Sequence, residues 1–254
     1  MKKIILLIFI VFFSFTLSAC NSQKIVEYEN SYFKYVIIQD NPNTSKKICL
    51  YGLTELGLQQ TNIIIPEYID GLKVDELGYY KALGGMWVGK EVVPFTVGDS
   101  MKKIFIPYKF TNENNYYVNL NIEAINAYVI SWNEIITSDF LIKNDVISYN
   151  LYKYACDNDS YSPKYLANVS YMYNYENSPN DGYYWADIYD NSLITFVPPI
   201  PNRNGYVFDG WYKEAECINK WEFECDITGD ILSISNNKYE EYPGTYLYAK
   251  WSIR

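Results

Sequence analysis

Gly205-Tyr206-Val207-Phe208-Asp209-Gly210-Trp211-Tyr212 is the segment from which the architecture of the chain can be read most directly. Its aromatic residues first recur at every second position, which is typical of a β-strand with one buried face. Gly205 precedes the strand, and Gly210 permits a bend or bulge before Trp211. Further aromatic residues follow, and together they predict a compact core. The predicted core residues are Tyr206, Phe208, Gly210, Trp211, Trp221, Phe223 and Trp251.

Strands are also predicted on both sides of this segment. Apolar and aromatic residues alternate with polar ones from Val169 to Tyr175, and a further strand is expected from Leu193 to Val197. In the last stretch, Leu247-Tyr248-Ala249-Lys250-Trp251, residues 247, 249 and 251 face one way. We therefore predict one small module over residues 165–254.

The motifs of this module resemble a known family. They are P-x-R-x-G-Y-x-F-x-G-W-Y at 201–212, W-x-F at 221–223 and L-Y-A-K-W at 247–251. Their order resembles the internalin-B-type B repeat of bacterial surface proteins. The resemblance implies a small β-grasp-like sheet with a short helical or irregular crossover. It also implies a role in attachment or as a spacer, without identifying a ligand.

The N-terminal half contains short β-like runs, two of which are closed by proline. Ile63-Ile64-Ile65-Pro66 and Ile104-Phe105-Ile106-Pro107 share this form, and a G-x-x-V-x-x-L-G pattern at 71–78 lies between them. The combination resembles the leucine-rich repeats of BspA-like bacterial surface proteins, which would make residues 32–140 a degenerate solenoid. The alternative is an irregular β-rich domain. Residues 141–164 are expected to form a linker or boundary.

The first twenty residues predict export. Lys2 and Lys3 precede an apolar run from Ile4 to Phe15, and the order is that of a secretory signal peptide over residues 1–19. A plain membrane anchor is the alternative, but the run is shorter than the roughly 18 residues that a span needs. The ending Leu17-Ser18-Ala19-Cys20 resembles a bacterial lipoprotein signal. This resemblance implies that Cys20 carries a lipid, that residues 20–31 form a lipidated tether, and that the protein is anchored at the extracellular face of the cell membrane.

Composition narrows the fold and function classes. The chain has 254 residues with 28 Tyr, 12 Phe and 6 Trp, and such aromatic content favours strands. The predicted fold class is mainly β: a β-rich, solenoid-like or irregular N-terminal domain followed by a small β-grasp-like module. The net charge of −9 argues against nucleic acid as a partner. The chain has 0 His, which excludes Ser-His-Asp triads and imidazole metal sites.

The remaining candidate sites are few. Cys217 and Cys225 are close enough in sequence for a disulfide, although packed free thiols are the favoured interpretation. Carboxylates near 214–226 leave a glycan hydrolase open as an alternative function, together with an accessory lipoprotein of a sugar-uptake system. The turn at 180–182 predicts exposed aromatic residues at Tyr183, Tyr184 and Trp185, which are candidates for contact with a polysaccharide or a host or extracellular protein. We expect no cofactor, no metal and no enzymatic activity.

Overall fold

A computed structural model of the protein describes residues 25–39, 42–83, 89–111, 122–124, 127–132, 146–148, 167–231 and 244–254. The predicted signal peptide, with Leu17, Ser18, Ala19 and Cys20, lies outside these residues. The prediction of a mainly β protein is confirmed. Apart from strands, the described residues include a short α-helix, α1 (Glu55–Leu58), and a 3-10 turn at Asn180–Gly182. Among the described residues there is no helix with the length and apolar character needed to cross a bilayer.

The N-terminal region is built from short strands that form three sheets. They are β1 (Glu27–Glu29), β2 (Phe33–Ile38), β3 (Lys47–Leu53), β4 (Asn62–Ile64), β5 (Tyr68–Ile69), β6 (Leu72–Leu77), β7 (Tyr79–Leu83), β8 (Gly89–Val93), β9 (Phe95–Thr96), β10 (Lys103–Ile106), β11 (Ile122–Glu123), β12 (Tyr128–Ser131) and β13 (Val146–Ser148). The pair β7–β8 is a separate antiparallel hairpin.

The largest sheet is organised around β3. On one side β3 pairs antiparallel with β2, which pairs with β1; on the other it pairs in parallel with β6 and β9. β9 in turn pairs in parallel with β11. The expected tether of residues 20–31 therefore needs correction, because Glu27–Glu29 is already a strand of this sheet. Its exposed edge position suits a short, charged strand.

A second sheet contains four strands in the order β13-β12-β10-β4, and every pair in it is parallel. Ile104 lies opposite Ile63 and Val129, and all three pack into the N-terminal core between the sheets. The next position, Phe105, points to the other face. Parallel strands that are covered on both faces read as continuous apolar runs. This explains why the Ile-Ile-Ile-Pro and Ile-Phe-Ile-Pro segments do not alternate with polar residues.

The strand β13 changes the expected domain division. It lies inside residues 141–164, which the sequence predicted to be a linker, yet it pairs in parallel with β12. Val129 lies opposite Val146, and Ile130 lies opposite Ile147. The pairing of the N-terminal region therefore extends at least to residue 148.

The C-terminal module, described over 167–231 and 244–254, forms one mixed sheet. Its strands are β14 (Val169–Met172), β15 (Tyr183–Asp187), β16 (Tyr206–Tyr212) and β17 (Thr245–Ile253). The order is β15-β14-β17-β16, with the central pair β14–β17 parallel and both outer pairs antiparallel. This is the strand order expected of a β-grasp-like sheet. Residues 188–205 form an irregular crossover rather than a helix.

The glycine in β16 allows the aromatic face to change register. Phe208 lies opposite Trp251, but the next paired residue is Gly210, so Asp209 is the extra residue of a bulge. Gly210 has φ +127°, a conformation that favours glycine. Trp211 then lies buried, with its ring 5.0 Å from that of Phe208 and 4.9 Å from that of Tyr171.

The predicted module core divides into three groups. Trp211 and Trp221 are buried, while Phe208, Phe223 and Trp251 are partly buried against the same cluster. Tyr206 differs, because it is half-exposed and lies under the Arg203 guanidinium rather than among the core residues. The aromatic core therefore contains fewer buried rings at the end of the sheet where β16 begins.

The module packs directly on the outer face of the parallel sheet. The Phe105 ring centroid lies 5.0 Å from that of Trp185 and 4.9 Å from that of Phe196. One hydrophobic cluster, here called the shared core, thus joins the two regions. Its buried members include Phe105, Ile130 and Trp132 from the N-terminal region and Val169, Tyr171, Trp185, Trp211, Trp221, Leu247 and Ala249 from the module.

Candidate functional site

A group of half-buried aromatic rings surrounds one arginine at the end of the module sheet. The Arg203 Cζ atom lies 3.6 Å from the Tyr206 ring centroid, 4.2 Å from that of Tyr175 and 5.8 Å from that of Trp251. These four residues are called the Arg203 clamp. Aromatic faces attract a guanidinium through their quadrupole, so the rings hold the charge in place.

Local backbone structure positions the clamp. The Tyr206 N–H donates to the Arg203 carbonyl at 3.1 Å, which closes a turn around Gly205. Gly205 has φ +78°, so a side chain at this position would be strained. The turn places Arg203 beside the first residue of β16 and directs its side chain toward the rings of the neighbouring elements.

Hydrogen bonds also fix the partner rings. The Trp251 Nε1–H donates to the Tyr173 carbonyl at 2.7 Å. Asn174, with φ 55°, donates through Nδ2 to the carbonyls of Ala215 at 2.9 Å and Ala249 at 3.2 Å. These bonds anchor the segment that carries Tyr175. The clamp is therefore preorganised by residues outside it.

The aromatic rings stabilise the charge of the Arg203 guanidinium, but its N–H groups have no acceptor among the described residues. Within the described parts of the chain, no carboxylate forms an ion pair with it and no oxygen accepts a hydrogen bond from it. The rings that contact it offer only π-faces. An arginine in this state can still donate to a planar, two-oxygen acceptor such as a carboxylate.

A second aromatic surface lies on the opposite face of the sheet. Tyr183, Met172, Tyr248 and Tyr212 are cross-strand partners and form one row across all four strands of the sheet. The three tyrosines are partly exposed, and Lys250 Nζ lies 4.8 Å from the Tyr212 ring centroid. Of the aromatic residues predicted to contact a ligand, Tyr183 alone belongs to this row.

The prediction for the other two residues needs correction. Trp185 is buried, with 2% of its surface exposed, and packs on Phe105 in the shared core. Tyr184 is partly buried, stacks on Trp211 at 6.0 Å and donates through its hydroxyl to the Pro199 carbonyl at 2.6 Å. The reason is a register shift between β14 and β15, where Tyr171 pairs with Trp185 but Met172 pairs with Tyr183. The shift turns both side chains toward the core.

A buried ion pair connects the two regions of the chain. Lys103 Nζ lies 2.7 Å from Asp187 Oδ1, and their side chains are 12% and 0% exposed. Lys103 also donates to the Ile188 carbonyl at 3.0 Å, and Nζ lies 3.6 Å from the Tyr189 ring centroid. Burial raises the pKa of Asp187 to about 6 against the opposing effect of Lys103. Burial also lowers the pKa of Lys103.

Such an ion pair at an interface makes the contact specific, because a shifted docking position would leave both charges buried without partners. The pair therefore acts with the shared core to set one arrangement of the module on the parallel sheet.

The aromatic strand with its glycine bulge and the segments around it form the sheet of that module. Residues 168–232 match the Listeria-Bacteroides repeat domain.

This family is a bacterial surface-type repeat. The matched residues include β14, β15 and β16 but not β17, which is a central strand of the same sheet. The repeat domain as folded therefore includes residues 244–254 as well. No curated protein and no solved structure gives a significant match to the chain.

Two of the carboxylates that were candidates for catalysis, Glu214 and Asp226, stabilise turns. Glu214 accepts from the Asn219 N–H at 3.1 Å and from its side-chain amide at 2.8 Å, which lowers the pKa of Glu214. Asp226 accepts from the Glu222 N–H and from Lys213, both lowering its pKa. A general acid for glycoside hydrolysis needs a raised pKa instead. Among the described residues there is also no cluster of three or more potential metal ligands.

The possible disulfide of the repeat domain is not formed. Cys217 and Cys225 are both free thiols. The Cys217 sulfur lies 3.4 Å from the Asn174 amide nitrogen and 3.9 Å from the Ala249 carbonyl, whereas Cys225 is exposed. The Cys217 side chain therefore faces the centre of the sheet rather than Cys225. Cys156 lies outside the described residues.

Sequence reasoning missed Arg203 and the Lys103–Asp187 ion pair. Arg203 stood in a motif flanked by aromatic residues, which was a usable signal for a cation held by rings. Lys103 and Asp187 gave no comparable signal, because 84 residues separate them and each looked like one charge at the end of an apolar strand.

Proposed function

We propose that this chain is a lipid-anchored bacterial cell-surface protein in which the repeat domain serves as a non-enzymatic binding or spacer module. The observation that carries the proposal is the match of residues 168–232 to a bacterial surface-type repeat. The predicted signal peptide and Cys20 supply the anchor. The partner is a polysaccharide or an extracellular host protein, which the exposed aromatic residues of the repeat domain would contact.

The contact between the two regions supports this role. The shared core and the Lys103–Asp187 pair hold the repeat domain on the N-terminal region in one orientation. A rigid platform suits a module that must present a surface away from the membrane. The Arg203 clamp and the tyrosine row stay at least partly exposed on that module.

We further propose that the N-terminal region is a degenerate solenoid of the leucine-rich type. The all-parallel order β13-β12-β10-β4 supports this proposal. The strands β4, β10, β12 and β13 begin at Asn62, Lys103, Tyr128 and Val146, which are 41, 25 and 18 positions apart (103 minus 62, 128 minus 103, 146 minus 128). The spacing of 25 lies within the roughly 20 to 29 residues of such repeats and that of 18 lies just below it. The longest spacing contains the hairpin β7–β8 as an insertion.

The anchor is tested by metabolic labelling with a fatty acid. The wild-type protein is expected to take up the label, whereas Cys20→Ser is expected to take up none and to remain as uncleaved precursor. Cys225→Ser is the matched control, since this exposed thiol lies in the repeat domain and its loss leaves labelling unchanged. Labelling of Cys20→Ser, or an unlabelled wild type, would overturn the anchor.

The binding role is tested with residues 21–254 on an array of glycans and extracellular-matrix proteins. Binding to either class that is lost when exposed residues of the repeat domain are changed supports adhesion. Silence on both classes would count against adhesion and leave the spacer role.

A further inference from the structure

The Arg203 clamp contains a cation for which the described residues supply no hydrogen-bond acceptor. Ring faces of Tyr206 and Tyr175 lie 3.6 and 4.2 Å from the guanidinium carbon. Cation–π contact stabilises the charge, but a π-face does not replace an oxygen acceptor for the N–H groups. No such acceptor for Arg203 exists among the residues that the structure describes. The site therefore favours a ligand that brings two acceptor oxygens in one plane.

The clamp is also rigid before any ligand arrives. Trp251 is held by its Nε1–H bond to Tyr173, and the Gly205 turn is closed by the Tyr206 N–H. The Arg203 side chain therefore loses its conformational entropy when the protein folds, and ligand binding does not impose that cost again. A free surface arginine would have to lose that rotamer freedom for each ligand.

The surroundings of the clamp distinguish among ligands that carry such oxygens. The chain has a net charge of −9, which opposes every polyanion and opposes most strongly those with a charge on each unit, such as nucleic acid. A polysaccharide in which acidic sugars alternate with neutral ones is opposed less. A second basic residue lies at the same turn, since the Arg254 N–H donates to the Gly205 carbonyl at 3.1 Å. The half-exposed rings of Tyr206 and Trp251 offer flat apolar faces beside the guanidinium. A pyranose ring has matching apolar C–H faces, and an acidic sugar adds the carboxylate.

We propose that the Arg203 clamp binds the carboxylate of a uronic-acid-containing polysaccharide, with the sugar ring against Tyr206 or Trp251. This inference rests on the proposed binding role of the repeat domain and specifies its ligand class. The carboxylate accepts two parallel N–H bonds from Arg203, and the aromatic faces exclude water from one side of the contact.

The test is calorimetric titration of residues 21–254 with trigalacturonate, with its fully methyl-esterified form and with a phosphorylated oligosaccharide of equal length. Trigalacturonate is expected to bind, and the ester is expected to bind about tenfold to a hundredfold more weakly because it lacks the charged acceptor. Arg203→Gln should weaken binding of trigalacturonate by a similar factor. Arg203→Lys should restore little of it, because lysine keeps the charge but not the planar fork.

Lys46→Gln is the matched control. Lys46 is exposed in the N-terminal region, directly before β3, and its loss should leave binding unchanged. Far-UV circular dichroism and a thermal melt of each variant separate lost binding from lost folding. Equal binding of acid and ester, unchanged binding by a folded Arg203→Gln, tighter binding of the phosphorylated sugar, or no binding of trigalacturonate at all would overturn the carboxylate assignment.

Failure here is distinguishable from failure of the proposed function. If the chain binds neutral glycans or matrix proteins on the array but not trigalacturonate, the clamp assignment is wrong while the binding role stands. If no ligand of any class binds, the spacer role remains and both the adhesion role and the clamp assignment are overturned.

Discussion

The docking of the repeat domain predicts that one substitution in the N-terminal region will disturb both regions. Phe105 is fully buried and contacts Trp185 and Phe196 of the repeat domain. Truncation of a buried Phe to Ala costs about 3–5 kcal/mol, and each lost aromatic pair adds roughly 0.5–1.5 kcal/mol beyond area burial. We therefore expect Phe105→Ala to fall in the upper half of the first range.

The expected loss is large on the scale of a folded domain, whose total stability is about 5–15 kcal/mol. It corresponds to a fall in the melting temperature of about 8–20 °C for a chain of this size. The assay is urea unfolding of residues 21–254, followed by far-UV circular dichroism and by tryptophan fluorescence. Because Trp132, Trp185, Trp211, Trp221 and Trp251 all lie in or against the shared core, fluorescence reports on that core.

Phe95→Ala provides the control of equal size and burial. Phe95 is also fully buried but belongs to the N-terminal core, away from the repeat domain. Its truncation should lower stability by a similar amount, while the fluorescence of the folded protein stays close to that of the wild type. Phe105→Ala should change that fluorescence because Trp185 loses its ring neighbour. The reasoning is refuted if the fluorescence-detected transition of Phe105→Ala overlays that of the wild type.

Three further predictions concern the repeat domain. Burial raises the pKa of Asp187 to about 6 from 3.8, so ionisation disfavours the folded state. The free energy of unfolding of the wild type minus that of Asp187→Asn should therefore fall by about 2 kcal/mol as the pH rises from 4 to 7. A flat difference between these pH values in urea titrations would contradict this. Trp211→Ala should lower the free energy of unfolding in urea by about 3–5 kcal/mol. Truncation of the exposed Val207 on the same strand should change it by less than about 0.5 kcal/mol. Equal losses would show that the bulge does not bury the indole. Gly210→Ala places a residue with a Cβ atom at φ +127°, with that Cβ 3.1 Å from the Lys220 Cε atom. We therefore expect the free energy of unfolding to fall by about 1–3 kcal/mol. A melting temperature equal to that of the wild type would argue against the bulge.

The local pattern of residues was enough to predict part of this fold. Alternation of aromatic residues predicted β16, and the glycine before Trp211 predicted a break in that alternation, because both depend on neighbours within one strand. The two Ile-Pro runs were also predicted as strands, and they do pair in parallel. Their partners β12 and β13 lack the proline, so the sequence pattern gave no reason to add them to the same sheet.

The contacts between distant segments could not be predicted in this way. Tyr184 and Trp185 follow a turn, which favoured exposure, but a register shift against Tyr171 decides their direction. Such a shift depends on the pairing of two strands and leaves no mark in either one alone. The continuous apolar run at Ile104-Phe105-Ile106 is typical of a strand covered on both faces. It did not say that the covering surface would come from the repeat domain.

The position of β17 has a consequence for the order of events in a newly made chain. This strand contains residues 245–253, yet it lies between β14 and β16 and contributes Leu247 and Ala249 to the shared core. Synthesis proceeds from the amino end, so the sheet lacks its middle until these residues have been added. Pairings over such sequence distances form slowly, and the incomplete sheet exposes two unpaired strand edges in the meantime. The C-terminal sheet therefore cannot be completed until residues 245–253 have been made, whatever the state of the N-terminal sheets.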